Sequence, residues 1–97
     1  MPIAKVVERF GKPMSKLRSK NERDWQHWQD LPNGGRRYWI RRSGRHWGWQ
    51  ILLKEVIYNT ETGLENTVRM WQEIYANDGR LVEVHQKYPA DAGHQKL

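Results

Sequence analysis

The stretch Arg36-Arg37-Tyr38-Trp39-Ile40-Arg41-Arg42-Ser43-Gly44-Arg45-His46-Trp47-Gly48-Trp49-Gln50-Ile51-Leu52-Leu53 decides the fold. It places two runs of aromatic and β-branched residues on either side of Ser43-Gly44, the pattern of a β-hairpin. Turn length sets hairpin register, and register sets which side chains share a face. A two-residue loop at Ser43-Gly44 pairs Arg42 with Arg45, Ile40 with Trp47 and Tyr38 with Trp49. One face then gathers Tyr38, Ile40, Trp47, Trp49, Ile51 and Leu53 as a core. The other collects Arg37, Trp39, Arg41, His46, Gly48 and Gln50, with the Trp39 ring across from the bare backbone of Gly48.

Toward the C-terminus the β character continues. Arg37 to Arg42 and Trp47 to Tyr58 read as the first two strands, Thr67 to Ala76 as the third and Leu81 to Lys87 as the fourth. Asn59-Thr60-Glu61-Thr62-Gly63 reads as the loop between the second and third. Val68, Met70, Trp71, Ile74 and Tyr75 also fit a helical period in part. The turn Asn77-Asp78-Gly79 before the alternating Leu81-Val82-Glu83-Val84 favours a hairpin instead. A three-residue loop there, with Gly79 left-handed, pairs Ile74 with Val82, Gln72 with Val84, Trp71 with His85 and Glu73 with Glu83. Ala90 to Leu97 reads as a loose tail.

Toward the N-terminus the signals are helical. Ile3, Val6, Val7 and Phe10 recur at helical spacing before Gly11 and Pro13, although a strand through Val6 and Val7 also fits. Lys12 to Lys20 reads as a basic connector. A second helix starts at Asn21, shares Trp25 and Trp28 on one face, and stops at Leu31-Pro32-Asn33-Gly34-Gly35. The expected fold class is therefore α+β: one or two short N-terminal helices packed on a four-stranded antiparallel β-meander. One domain spans residues 1–97, with 1–35 helical and basic, 36–88 the meander and 89–97 the tail.

Composition narrows the functional classes. Six Trp and four Tyr against one Phe give a small core built from large rings. The absence of cysteine excludes disulfides, zinc-thiolate sites and thiol nucleophiles, and favours a reducing, cytoplasmic setting. No apolar run has membrane-spanning length, and no signal-peptide stretch opens the chain. The net charge of +6 attracts anionic partners, and most Lys and Arg lie between Lys5 and Arg45.

The candidate site is the face holding Arg37, Trp39, Arg41, Arg45, His46 and Gln50, flanked by Arg36 and Arg42. Its cations neutralise phosphates and its ring stacks on a base, as a single-stranded nucleic-acid platform requires. The competing account buries Trp39 under the N-terminal helix with its arginines reaching outward. A second patch, Trp71, Glu73, Glu83 and His85, sets two carboxylates opposite each other. It suits acid–base work or a cation, but a solvated charge lattice with Arg69, Arg80 and Lys87 is the simpler reading. His27 and His94 lack ligand spacing, and Gly34-Gly35-Arg36-Arg37 lacks the Lys-Ser/Thr of a phosphate loop. No cofactor or metal is expected.

The first functional expectation is a nucleic-acid-binding protein taking single-stranded DNA or RNA with low sequence specificity. The alternative is a protein-interaction module for an acidic partner protein. A small metal-independent nuclease-like enzyme using Glu73, Glu83 and His85 comes third. The apolar residues on both faces of Trp47 to Tyr58 make a homodimer an option.

Overall fold

A computed structural model describes residues 15–43 and 48–97. Its elements are β1 (Ser15–Leu17), α1 (Arg18–Trp25), β2 (His27–Asp30), a 3-10 turn (Pro32–Gly34), β3 (Gly35–Ser43), β4 (Trp49–Asn59), β5 (Leu64–Tyr75), β6 (Leu81–Tyr88) and β7 (Gly93–Lys96). All seven strands join one antiparallel sheet of order β2-β3-β4-β5-β6-β7, with β1 on β5. The expected α+β fold is thus corrected. The four strands of the meander run in the expected order as β3 to β6, but three further strands extend the sheet and one described helix accompanies it. The helix expected over residues 3–10 lies outside the described residues.

The second expected helix ends early, and the reason is local. Gln26 adopts the left-handed conformation, with φ of 71°, and its N–H bonds the Glu22 carbonyl to close α1. The chain then turns back as β2. Trp25 and Trp28, read as one helical face, come from a helix and a strand and both pack on Tyr38, at 6.5 and 6.0 Å between ring centroids. The segment Leu31 to Gly35 is a hairpin turn. Asn33 and Gly34 both have positive φ, 63° and 78°, the signature of a tight turn between twisted strands. Gly93–Lys96, expected in a loose tail, pairs with β6.

Two registers differ from expectation. β3 pairs with β4 as Ser43↔Trp49, Arg42↔Gln50, Arg41↔Ile51 and Tyr38↔Lys54, so residues 44–48 lie between the paired positions instead of two residues. Gly48 accounts for part of this. It has φ of +65°, donates its N–H to Asn77 Oδ1 at 2.8 Å, and a Cβ there would overlap the Tyr75 carbonyl. It runs against the end of β5, where only glycine fits. The shift is odd, so β4 turns its other side to each face. At the β5–β6 end the three-residue loop forms as expected, with Ala76 N–H on the Arg80 carbonyl and Gly79 at φ of +90°. An irregularity just beyond it slips the ladder, giving Ile74↔Glu83, Gln72↔His85, Trp71↔Gln86 and Glu73↔Val84.

The sheet therefore has two unlike faces. The helix face carries Arg36, Tyr38, Lys54, Val56, Glu65 and Thr67 beneath α1, all buried. α1 holds Trp25 as its only apolar side chain, so polar groups dock it. Glu65, fully buried, accepts Arg18 Nε at 2.7 Å, Asn21 Nδ2 at 3.0 Å and the Tyr38 hydroxyl at 2.5 Å. Lys54 donates to Asn21 Oδ1 at 2.6 Å, while Arg36 reaches Glu22 at 2.7 Å and Asp30 at 2.6 Å. Burial lowers the Lys54 ammonium to about 8 and, with the Glu65 hydrogen bond, raises the Tyr38 hydroxyl above its usual range. The opposite, tryptophan face buries Leu53 and Trp71. Trp49 and Ile51, read as core, are half-buried, Trp47 lies outside the described residues, and Arg41 and Lys87 are exposed as expected.

Candidate nucleic-acid interface

The alternation of β3 places Arg37, Trp39 and Arg41 together on the tryptophan face. Gln50 does not join them. It pairs with Arg42 on the helix face, accepts from the Gln72 amide and donates to the Ser43 carbonyl at 3.4 Å. Arg45 and His46 lie outside the described residues. In their place the register brings Trp49 from β4 and Arg69, Trp71, Glu73 and Tyr75 from β5.

These side chains assemble as guanidinium groups resting on rings. Arg69 Cζ lies 4.0 Å from the centroid of Trp71, and Arg37 Cζ lies 5.8 Å from the same ring. Trp71 is only 5% exposed, so it is a platform for the two cations and offers no ring surface to a ligand. Further along, Arg41 Cζ sits 4.6 Å from the centroid of Trp49, which stacks on Tyr75 at 5.6 Å with 12° between planes. Trp39 stacks on His27 of β2 at 5.8 Å and 15°. Each guanidinium–ring contact contributes about 0.5–1 kcal/mol at an exposed site, and it restrains a side chain that otherwise samples many rotamers.

The charges are held in two ways. Arg37 is paired, with its NH2 group 2.6 Å and its Nε 2.7 Å from Glu55 Oε2. Arg41 and Arg69 have no carboxylate partner among the described residues. Glu73 accepts Trp71 Nε1 on one oxygen at 2.9 Å and the Tyr75 hydroxyl on the other at 2.8 Å. Burial, with that bond to Glu73, pushes the Tyr75 hydroxyl up to about 12. The face thus presents planar cations, two half-buried indoles and two fixed carboxylates.

The second expected patch does not form. Trp71 and Glu73 stay on the tryptophan face, while Glu83 and His85 point to the helix face, because the slip beyond Gly79 moves them by one residue. There His85 Nε2 lies 2.6 Å from Asp91 Oδ1 and His94 Nδ1 lies 3.0 Å from Glu83 Oε2. No cluster of three His, Cys, Asp or Glu able to hold a metal ion occurs among the described residues. No described helix is long and apolar enough to cross a membrane. Comparison with protein-family models, curated proteins and solved structures finds no match to this chain.

Sequence reasoning missed Trp49, Arg69, Trp71 and Tyr75 as members of this face. Their period-2 spacing within each strand was legible. The relation between strands was not, because it depends on how many residues residues 43 and 49 enclose between them.

Proposed function

We propose that the tryptophan face binds single-stranded nucleic acid with low sequence specificity, chiefly through its backbone. The observation that carries this reading is the set of guanidiniums of Arg37, Arg41 and Arg69 held on the rings of Trp49 and Trp71 across one sheet face. Cations fixed in this way meet phosphates without first losing rotamer freedom. The half-buried ring of Trp39 lies between Arg37 and Arg41 along β3, where an unpaired base can stack. A net charge of +6 supports the same choice of partner. The absence of cysteine supports a reducing, cytoplasmic location for this role.

The test is fluorescence titration with mixed-sequence DNA and RNA single strands across a salt series. The two unpaired guanidiniums, Arg41 and Arg69, predict a log–log slope of about −1.4, from roughly −0.7 per phosphate contact on single strands. Absence of binding at low salt sinks the proposal. The alternative, a module that docks an acidic protein, draws on exposed Leu17, Ile57 and Val68. It would show binding to an acidic polypeptide with no affinity for oligonucleotides.

A further inference from the structure

We infer that Glu73 makes this face prefer guanine over the other bases at one position of a bound single strand; the inference rests on the nucleic-acid reading above. Two carboxylates stand on the tryptophan face, and they are held differently. Glu55 is consumed by Arg37, whose guanidinium takes Oε2 at 2.6 and 2.7 Å. Glu73 meets only neutral donors, the Trp71 indole at 2.9 Å and the Tyr75 hydroxyl at 2.8 Å. No Lys or Arg pairs with it among the described residues. The two donors fix the orientation of the carboxylate and leave further lone pairs on both oxygens.

A fixed carboxylate repels phosphate, so on a backbone-binding face it suits a base edge. Guanine is the common base that shows two adjacent donors, N1–H and N2–H, on its Watson–Crick edge. A carboxylate accepts both at once, in the paired geometry it also uses with a guanidinium. Adenine, cytosine, uracil and thymine each turn at least one lone pair toward the same oxygens for every donor they offer. That edge is free only in an unpaired strand, which matches a flat sheet and not a groove-reading element. Glu73 pairs across Ile51 of β4 with Arg41 of β3, so a strand whose phosphate sits on the Arg41 guanidinium carries a neighbouring base past the carboxylate.

The experiment titrates the full chain with a short oligouridylate carrying one central guanine, and with the same strand bearing uracil, inosine or 7-deazaguanine there. The guanine strand is expected to bind about tenfold more tightly than the uracil strand. Inosine lacks the N2 amino group and should lose most of that gain, whereas 7-deazaguanine should keep it. Glu73→Gln should erase the preference while leaving affinity for the all-uracil strand equal or higher. A preference that survives Glu73→Gln, or that 7-deazaguanine abolishes, overturns the inference in favour of a guanidinium reading O6 and N7. Equal binding of all strands overturns it and leaves the nucleic-acid reading standing. No binding of any strand removes both. If Glu73→Gln fails to fold by circular dichroism, the inosine and 7-deazaguanine strands on the unaltered chain decide the matter.

Discussion

The two faces of the sheet use the same residue types to opposite ends. Under α1, Arg36, Lys54 and Glu65 are buried and each meets its hydrogen-bond partners within the protein. On the tryptophan face, Arg41 and Arg69 lie on rings with their outer sides in solvent. Removing a member of a buried network strands its partners without water, whereas removing an exposed cation costs little. The contrast separates charges that hold the fold together from charges free to meet a ligand.

The largest effect should come from the centre of the buried network. Glu65→Leu strands Arg18, Asn21 and the Tyr38 hydroxyl together, at an expected cost of about 3–5 kcal/mol in chemical denaturation. A loss below 1 kcal/mol would mean that α1 is not anchored by these groups.

Next in size is a pH effect from Lys54. Its folded value of about 8 lies below the usual 10.5, so between those two values the unfolded chain binds more protons than the folded one. Stability should therefore rise with pH across that window, by at most about 3 kcal/mol from this group. Lys54→Met should flatten the rise in a pH series of melting curves. An equal slope in both proteins would show that the ammonium is solvated.

Gly48→Ala probes the passage between the faces. The strained φ and the overlap with the Tyr75 carbonyl should together cost about 2 kcal/mol or more. A melting temperature unchanged from the parent would contradict the register that depends on this glycine.

The smallest stability change belongs to the tryptophan face, where binding changes most. Arg41→Glu with Arg69→Glu should cost only about 1–2 kcal/mol of stability, the worth of the two guanidinium–ring contacts. The same pair should reduce affinity for single strands at least tenfold and shrink the salt slope. Trp39→Ala should weaken binding by about 1–3 kcal/mol without changing that slope, since stacking releases no counterions. A pair of charge reversals that unfolds the protein but spares binding would invert the assignment of the two faces.

Much of the sheet is legible in the sequence. The order of β3 to β6 follows from their β-branched and aromatic runs, and the left-handed Gly79 from Asn77-Asp78-Gly79. The same signal stands at Asn33-Gly34, where it reads as a helix stop because Trp25 and Trp28 match a helical spacing. That match was accidental. Both rings converge on Tyr38, and nothing local reveals Tyr38 as their common partner. The docking of α1 was equally hidden, since a segment with one apolar residue gives no amphipathic signal and its anchor Glu65 lies 44 residues from Asn21.

The site divides along the same line. Alternation within β3 determined, from sequence alone, that Arg37, Trp39 and Arg41 share a side, because successive side chains of a strand point to opposite faces. Which residues stand beside them was decided by tertiary structure. The number of residues between Ser43 and Trp49 is odd, and an odd shift exchanges the faces of the whole of β4. That exchange removed Gln50 and brought in Trp49, while β5, paired through β4, carried Arg69, Trp71 and Glu73 to the same side. Local preference cannot set such a shift. It is set where β3 pairs along β4, with Tyr38 opposite Lys54 and Trp39 opposite Leu53, contacts between residues more than a dozen positions apart.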